Sequence, residues 1–325
     1  MDQEAIQYEQ LTSRGELRHL LKLEGLDASI ILDLLTRAQG YIMPAGQKPA
    51  RDDCLAGRTI ANLFFEASTR TRASFELAAK RMSADVLNLD VNTSSRKKGE
   101  SILDTIYTLQ AMQADIFVVR DASAGIPELI ATEVQPHVSV LNAGESDMSH
   151  PTQGLLDLLT IRQHKSTFDG LVVTIIGDIA HSRVARSLTE GLRIVGDNEV
   201  RLCAPPGLEP NPEHYPGTMI TNDIEAAIRN ADVLVTLRIQ RERIKEKSSL
   251  MTSHEYLNQY GLTEERLARA RPDAIVMHPG PMNRDVEIAG SVADGPQSVI
   301  TQQVTNGLAV RMAILAAVSS CANHS

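Results

Sequence analysis

Two hydroxyl side chains and two guanidinium groups stand together in the stretch Ser68-Thr69-Arg70-Thr71-Arg72. An apolar run over 60–65 has the composition of a buried strand, and residues 73–82 follow with the pattern of a helix. Backbone N–H groups at the start of a helix attract anions, and arginine donates paired hydrogen bonds that match phosphate oxygens. The stretch therefore predicts a phosphate site without a P-loop lysine. A capped helix with solvated arginines is the alternative that the same residues allow.

More polar side chains follow other apolar runs of the chain. Ligands of open α/β sheets bind beyond the carboxyl ends of the strands, so residues just past predicted strands are candidates for a site. Besides Arg70, these candidates are Arg120, His150, Gln153, Arg183, Arg238, Gln240 and the turn His278-Pro279-Gly280-Pro281. Any single one is more often structural than functional. Four arginines and a histidine at strand ends nevertheless indicate an anionic ligand, since the chain as a whole carries a net charge of −9.

Apolar runs and helical patterns alternate along the whole chain, which is typical of an α/β protein. Continuously apolar strands separated by helices favour parallel sheets covered on both faces. The pattern restarts after the turn at 168–170, so we expect two doubly wound open parallel-sheet domains. A polar arm is predicted up to about residue 20, a charged loop at 238–253 and a long final helix at 298–320. Strands are predicted at 60–65, 86–89, 116–119, 138–141, 171–176, 200–203, 219–220, 233–237 and 274–277.

Composition excludes several classes of function. The chain of 325 residues is long enough for two domains, and its negative charge argues against a general nucleic-acid binder. No apolar run is long enough for a membrane span, and the acidic first residues differ from a signal peptide. Three scattered cysteines have no metal spacing, so we expect no metal site, no disulfide and a cytoplasmic location.

Two motifs leave their roles open at this point. Gly177-Asp178 begins like a dinucleotide-binding fingerprint, but the further glycines are missing, so no cofactor is predicted. Lys97-Lys98-Gly99-Glu100 fits a solvated turn and a functional loop equally well. His150 beside Pro151 also fits a core histidine at the start of a helix.

Three motifs in chain order resemble the aspartate/ornithine carbamoyltransferase family: Ser68-Thr69-Arg70-Thr71-Arg72, His150-Pro151-Thr152-Gln153 and His278-Pro279-Gly280-Pro281. Two further stretches, Lys97-Lys98-Gly99-Glu100-Ser101 and 238–243, are similar to the aspartate branch of that family. The resemblance extends from about Leu21 to the final helix. The sequence departs from some relatives at Gly280, where they carry leucine. Because only the backbone carbonyl of this residue is needed, we expect Gly280 to keep the same role.

The resemblance implies a carbamoyl-phosphate-binding domain over 1–155, to which 303–325 return, and an aspartate-binding domain over 156–302. The implied reaction transfers the carbamoyl group of carbamoyl phosphate to the α-amine of L-aspartate, in pyrimidine (UMP) biosynthesis. The substrate brings its own nucleophile, so no nucleophilic side chain and no cofactor are needed.

The resemblance also implies a role for each candidate residue. The residues implied to bind carbamoyl phosphate are Ser68, Thr69, Arg70, Thr71, Arg120, His150, Gln153, Gly280 and Pro281. Of these, Arg70, Thr71, Arg120 and His150 are expected to be catalytic, since charge builds on the carbamoyl oxygen in the transition state. The residues implied to bind aspartate are Lys98, Arg183, Arg238 and Gln240.

Lys98, with Ser94 nearby, is implied to enter the active site of the adjacent subunit in a catalytic homotrimer. The resemblance leaves open whether regulatory or dihydroorotase-like chains join this trimer. Two other readings compete with aspartate transfer. A carbamoyltransferase for another amine such as ornithine would need a negative group in its pocket, and an inactive scaffold protein would not need the intact arginine set.

Overall fold

The computed structural model describes residues 10–44, 46–89, 101–240 and 251–322. The chain divides into two compact units: one holds the described residues up to Leu159 together with those from Thr305, and the other is Thr160–Val304. The loop that contains Ser94 and Lys98 lies outside the described residues, as does 241–250.

The first unit is built on a four-stranded parallel sheet. Its strand order is β2-β1-β3-β4, so the predicted parallel sheet is confirmed. In chain order the elements are α1 (Ala28–Gly40), β1 (Thr59–Phe64), α2 (Thr69–Arg81), β2 (Asp85–Leu89), α3 (Ile102–Ala111), β3 (Ala114–Asp121), α4 (Ile126–Glu133), β4 (Ser139–Glu145) and α5 (Pro151–Lys165).

Burial of apolar side chains holds this sheet between its helices. Phe117 in β3 and Val140 in β4 are fully buried, and Ile106 and Ile130 pack onto the same core from α3 and α4. Complete burial of one such side chain stabilises the fold by about 1.5–3 kcal/mol. The two central strands are thereby fixed, and with them the residues at their carboxyl ends.

Strand β3 is longer than the sequence predicts, which corrects the position of Arg120. The prediction ends the strand before Arg120, but the structure pairs Arg120 with Phe64 and continues to Asp121. The Phe65 N–H donates to the Arg120 carbonyl at 2.8 Å and extends the ladder. Arg120 is therefore a buried strand residue and not a loop residue.

The sequence predicts a polar arm before α1, but the described part of this segment is not a polar arm. Leu17, Leu20 and Leu21 are buried, and Leu20 forms a parallel bridge with Leu141. The Leu20 N–H donates to Val140 O at 2.9 Å, and Leu20 O accepts from Asn142 N–H at 2.8 Å. The segment thus covers the free edge of β4, where an open strand would expose unpaired backbone groups.

The second unit is built on a five-stranded parallel sheet with the order β7-β6-β5-β8-β9. This confirms the predicted α/β fold with two parallel sheets. Its elements are β5 (Val172–Ile176), α6 (Arg183–Val195), β6 (Glu199–Cys203), a 3₁₀ turn (Pro212–His214), β7 (Met219–Thr221), α7 (Ile224–Ile228), β8 (Val233–Thr236), α8 (Ser253–Tyr260), α9 (Glu264–Leu267), β9 (Ile275–Met277), α10 (Gly290–Ala293) and α11 (Ile300–Ala322).

Helix α8 is absent from the sequence prediction. Its start is fixed by a capping box, in which the Thr252 side chain accepts from the Glu255 N–H and the Glu255 side chain accepts from the Thr252 N–H. Helix α11 agrees with the predicted final helix, and its residues from Thr305 onward belong to the first unit. None of the described helices has the length and apolarity of a membrane span.

Candidate active site

In the first sheet β2 is added on one side of β1, whereas β3 and β4 are added on the other side. The topological switch point, where the direction of strand addition changes, therefore lies between the two central strands β1 and β3. A crevice opens beyond the carboxyl ends of two such strands, and ligands of open α/β sheets bind there. The chain leaves β1 at Phe64 and enters α2 at Thr69, while Arg120 lies beside Phe64 in β3. The fold therefore brings the start of α2 and Arg120 to one switch point.

The start of α2 has the properties of an anion site. Ser68 occupies the N-cap position, but its side chain does not accept a capping hydrogen bond from the helix. No acidic residue lies in the first turn to balance the positive end of the helix dipole. Thr71 is buried, whereas Thr69 and Arg70 are exposed. The backbone N–H groups of the first turn and the exposed side chains of Thr69 and Arg70 therefore lie together at the start of α2.

Arg120 is oriented by two contacts within the first unit. Its Nη1 donates to the Ala143 carbonyl at 3.1 Å, and its Nη2 lies 3.2 Å from Glu66 Oε2. Only 8 % of Arg120 is exposed, so these contacts fix the direction of a largely desolvated guanidinium. The sequence analysis did not single out Glu66, although a carboxylate two residues before Ser68 was a usable signal.

His150 and Gln153 lie at the start of α5, directly beyond β4. Both are buried, and the His150 carbonyl accepts from the Gln153 and Gly154 N–H groups at 2.9 and 3.1 Å. His150 Nδ1 is 3.4 Å from Thr152 Oγ1. Gln153 Nε2 donates to Asp157 Oδ1 at 3.0 Å, which leaves the amide oxygen as the acceptor that faces away from Asp157.

The second sheet has its switch point between β5 and β8. The chain segments that leave β5 and β8 approach each other closely at Gly177. Its φ is +133°, and an added Cβ would lie 2.5 Å from the Leu237 carbonyl oxygen. Only glycine combines this backbone conformation with so close an approach. The residues that follow the two strands, Asp178 after β5 and Arg238 after β8, therefore leave the sheet side by side.

Asp178 organises this second switch point. Its carboxylate is fully buried and accepts the Gln240 N–H at 3.0 Å through Oδ2. Oδ1 lies 2.8 Å from His181 Nδ1, and the His181 carbonyl accepts from Gln240 Nε2 at 2.7 Å. The loop after β8 is thus tied to the loop after β5. Asp178 and His181 were missed as site residues, although the carboxylate just past β5 was the signal that marked them.

Two arginines complete the second switch point. Arg183 opens α6 directly after the N-cap Ser182 and is only 7 % exposed. Arg238 is half-buried two residues before Gln240. Two guanidiniums and a carboxamide therefore follow β5 and β8, a set that suits a ligand with carboxylate groups.

The turn His278-Pro279-Gly280-Pro281 follows β9, next to β8 in the sheet. The Gly280 N–H donates to His278 Nδ1 at 2.7 Å, so the ring proton is on Nε2, which lies 3.1 Å from Glu287 Oε1. The peptide bond between Gly280 and Pro281 is cis. Gly280 and Pro281 therefore belong to the second unit, whereas the other residues implied to bind carbamoyl phosphate belong to the first.

No group of three or more His, Cys, Asp or Glu side chains has the arrangement of a metal site within the parts of the chain that are described. The candidate residues thus fall into two sets, one at each switch point, with Lys98 outside the described residues.

Two family models match this chain, one in each half. Residues 18–163 match the family description "Aspartate/ornithine carbamoyltransferase, carbamoyl-P binding domain", and residues 169–318 match the Asp/Orn binding domain of the same family. The chain belongs to the aspartate/ornithine carbamoyltransferase family, and the reaction class is carbamoyl transfer.

Solved structures are similar over almost the whole chain. An aspartate transcarbamoylase from Trypanosoma cruzi in complex with N-(phosphonacetyl)-L-aspartic acid is 31% identical, with 95% of this chain and 98% of that chain covered and a TM-score of 0.83. The same Trypanosoma cruzi enzyme with carbamoyl phosphate and aspartate is 30% identical, with coverage of 93% and 96% and a TM-score of 0.82. Ornithine carbamoyltransferase from Thermus thermophilus is 25% identical, with coverage of 93% and 98% and a TM-score of 0.81.

Proposed function

We propose that this protein transfers the carbamoyl group of carbamoyl phosphate to the α-amine of L-aspartate, giving N-carbamoyl-L-aspartate and phosphate. The observation that carries the proposal is the pair Arg183 and Arg238 with Gln240 at the switch point of the second sheet. Aspartate has two carboxylates, and each guanidinium is matched to one of them. The Trypanosoma cruzi structures with aspartate and carbamoyl phosphate support the same choice.

Carbamoyl phosphate is assigned to the first switch point. The backbone N–H groups at the start of α2 and the side chains of Ser68, Thr69, Arg70 and Thr71 hold the phosphate in this proposal. Helix dipole and guanidinium act in the same direction, because both present positive charge to the phosphate oxygens.

The reaction requires stabilisation of the negative charge that develops on the carbamoyl oxygen. The aspartate amine attacks the carbamoyl carbon, negative charge builds on the carbonyl oxygen, and the bond to phosphate breaks. Arg120, His150 and Thr71 are assigned to that oxygen, where a fixed donor lowers the barrier by about 2.7–4 kcal/mol. The departing phosphate accepts the amine proton, so no separate base is required. Holding both substrates together removes a further part of the barrier.

The carbamoyl nitrogen is assigned to acceptor groups. Gln153 suits this role because its amide nitrogen is already used by Asp157, which turns its oxygen outward as an acceptor. The backbone carbonyls of Gly280 and Pro281 are assigned to the same nitrogen on the strength of the family resemblance. A donor at these positions would repel the N–H groups of the carbamoyl nitrogen.

We further propose a catalytic homotrimer in which Lys98 enters the neighbouring subunit's active site. Strand β2 is the edge strand that precedes the loop of Lys98, and its Leu87 is 37 % exposed. An exposed apolar side chain on an edge strand suits coverage by another subunit. Production of carbamoyl-aspartate for pyrimidine synthesis, and a cytoplasmic location, belong to this same proposal.

Ornithine transfer is the second candidate, since ornithine carbamoyltransferases are among the similar structures at 25% and 27% identity. Ornithine carries a side-chain amine, which a pocket with Arg183 and Arg238 would repel. The turn 278–281 also lacks the cysteine expected of that branch. Both observations favour aspartate.

A competition assay tests the proposal. The protein is incubated with carbamoyl phosphate and equal concentrations of L-aspartate and L-ornithine, and the products are separated by mass. We expect carbamoyl-aspartate alone. Citrulline as the main product would overturn the choice of substrate, and neither product would indicate an inactive protein. Arg238→Ala serves as the control, because it is expected to abolish carbamoyl-aspartate without creating citrulline.

A further inference from the structure

Arg311 is a buried arginine that neither pairs with nor donates to a carboxylate among the described residues. It lies in α11 within the first unit and is only 5 % exposed. Its Nη1 donates to the Gly307 carbonyl at 2.7 Å, and its guanidinium carbon lies 5.1 Å from the centre of the Phe75 ring. Among the described residues Arg311 makes no ion pair with Asp or Glu, and its Nε has no hydrogen-bond partner.

A buried positive charge without a counter-charge is costly for a fold. Burial lowers the pKa of Arg311 to about 10, so the side chain still carries its proton at neutral pH. Packing alone does not require this charge, because methionine or leucine would fill a similar volume without the desolvation cost. The charge therefore points to a use outside the stability of the unit.

The helix makes room for this guanidinium. Gly307 lies one turn before Arg311, and a Cβ at this position would be 2.8 Å from Arg311 Nη1 and 3.2 Å from Leu156 Cδ2. Glycine in a helix interior destabilises the helix relative to alanine. The glycine is consistent with a position built to hold the arginine head group against the helix backbone.

The neighbours of the guanidinium locate it relative to the proposed phosphate site. Phe75 lies four residues after Thr71 on the buried face of α2, and four helical residues span about 6 Å. Leu156 lies three residues after Gln153 in α5. Phe75 and Leu156 therefore lie about one helical turn inside the starts of α2 and α5, the two helix ends assigned to carbamoyl phosphate, and the guanidinium packs beside them.

We infer that Arg311 is a buried counter-charge for the phosphate dianion at the start of α2, acting across about 10 Å of protein interior without touching it. The inference rests on the proposed function, since it assumes that a phosphate binds there. In an environment with an effective dielectric constant of about 20, loss of this charge is expected to weaken a bound dianion by about tenfold or more. Arg311 is accordingly an electrostatic residue and not a catalytic one.

The test compares three variants by calorimetry with inorganic phosphate and carbamoyl phosphate as probes at fixed ionic strength. Arg311→Met removes the charge, Arg311→Lys keeps it, and Lys80→Met removes an exposed charge from the last turn of α2 as the matched control. We expect Arg311→Met to bind both probes at least about tenfold more weakly. Arg311→Lys is expected within about threefold of wild type, and Lys80→Met within about twofold, because solvent screens its charge.

A second measurement separates charge from structure. Methylphosphonate and methanesulfonate have similar shapes, but at pH 9 the first is predominantly a dianion and the second a monoanion. A through-space effect is proportional to ligand charge, so the fold-loss of Arg311→Met for methylphosphonate should be about the square of its fold-loss for methanesulfonate. A disturbed binding site would instead weaken both probes by a similar factor. Urea unfolding is expected to show that Arg311→Met is at least as stable as wild type.

The outcomes are distinguishable. Equal affinity of wild type and Arg311→Met for methylphosphonate, in a wild type that makes carbamoyl-aspartate, would overturn the inference and leave the proposed function intact. A wild type that binds no phosphate probe would overturn the proposed phosphate site itself. Arg311→Gln replaces Arg311→Met if the latter does not fold. If Arg311→Lys folds but neither Arg311→Met nor Arg311→Gln does, the charge is needed for folding, and the inference would also be overturned.

Discussion

Two of the three side chains assigned to the carbamoyl oxygen, Arg120 and His150, are held differently by the fold. Arg120 is fixed at both ends of its fork, by the Ala143 carbonyl and by Glu66. His150 is buried at the start of α5, with its ring nitrogen 3.4 Å from Thr152 Oγ1. A donor that is rigid before substrate arrives stabilises the transition state without reorganisation, so both residues are expected to act mainly on the chemical step.

His150→Ala is expected to lower kcat by about 10²–10³-fold while the KM for aspartate changes by less than about tenfold. The physical reason is that the contact strengthens as negative charge develops on the carbonyl oxygen. Steady-state kinetics with both substrates varied gives the two constants. A normal kcat with a greatly raised KM would move His150 from transition-state stabilisation to substrate binding.

His19 predicts a loss of stability in acid. It is buried, its Nδ1 accepts the Val140 N–H at 2.9 Å, and burial lowers its pKa to about 3, with a further contribution from the neighbouring Arg18 charge. The fold therefore requires neutral His19. An unfolded histidine binds a proton below about pH 6.5, so stability from this group is complete above that pH and falls between about pH 6.5 and 3.

Urea unfolding between pH 7 and 4 measures this effect. His19 alone contributes a slope of up to about 1.4 kcal/mol per pH unit below its unfolded pKa. His19→Asn keeps an acceptor for Val140 but cannot be protonated, and its slope should be smaller by most of that amount. An unchanged slope in the variant would show that other groups govern acid stability.

At the level of single residues, the sequence predicts the polar side chains that follow strands but not the groups that orient them. Arg70, His150, Arg183 and Arg238 could be placed because strand–helix alternation is readable from apolar periodicity. The positions of Glu66 and Asp178 marked them as candidates, but their partners could not be predicted. Their roles lie in contacts with Arg120 and Gln240, and the contact between Asp178 and Gln240 spans 62 positions of the chain. Nothing in local spacing encodes such pairs.

At the scale of elements, both switch points follow from the strand orders and not from any single motif. The chain winds from β1 to β2 and then returns past β1 to β3, and from β5 to β7 before it returns to β8. Alternating apolar strands and helices predict the parallel sheets. They do not predict the order of strands, since that depends on which faces the helices cover. Helix α8 was missed because its pattern is short, although Thr252 and Glu255 have the spacing of a capping box.

Gly177→Ala tests the close approach of the strands β5 and β8. The alanine Cβ would lie 2.5 Å from Leu237 O in a left-handed region of backbone conformation, so we expect destabilisation of about 3 kcal/mol or more and weaker aspartate binding. Urea unfolding and calorimetry measure the two effects.

Gly170→Ala is the matched control for this substitution. Gly170 also has a positive φ, +71°, but an added Cβ would meet nothing within 4 Å. Its cost should therefore be limited to about 1–2 kcal/mol of backbone strain, without an effect on aspartate binding. Equal losses in the two variants would mean that strain alone, and not the approach of Leu237, explains Gly177.

At the scale of the whole molecule, the proposed trimer predicts that two inactive variants restore each other. Lys98→Ala and Arg70→Ala proteins are dissociated, mixed in equal amounts and reassembled. A site is complete when its own chain retains Arg70 and its neighbour retains Lys98. Random assembly in a cyclic trimer gives this combination at about one half times one half, so roughly a quarter of wild-type activity is expected.

The mixing experiment needs proof that mixed trimers have formed, which mass measurement of the reassembled protein supplies. Each parent carried through the same dissociation alone gives the background. Activity no higher than that background, in confirmed mixed trimers, would contradict a shared site and would assign Lys98 to its own chain or to no catalytic role.

The central claim is a division of labour, with carbamoyl phosphate at the first switch point and aspartate at the second. Calorimetry of Arg70→Ala and Arg238→Ala tests it most directly. Carbamoyl phosphate is titrated into the free proteins. Succinate, an unreactive dicarboxylate, is titrated into the proteins saturated with carbamoyl phosphate. The affinity of Arg70→Ala for carbamoyl phosphate should fall by about 100-fold or more. Arg238→Ala should bind carbamoyl phosphate with an affinity within about threefold of wild type but should no longer bind succinate. Undiminished carbamoyl-phosphate affinity in a folded Arg70→Ala protein, or its loss in Arg238→Ala, would contradict the account.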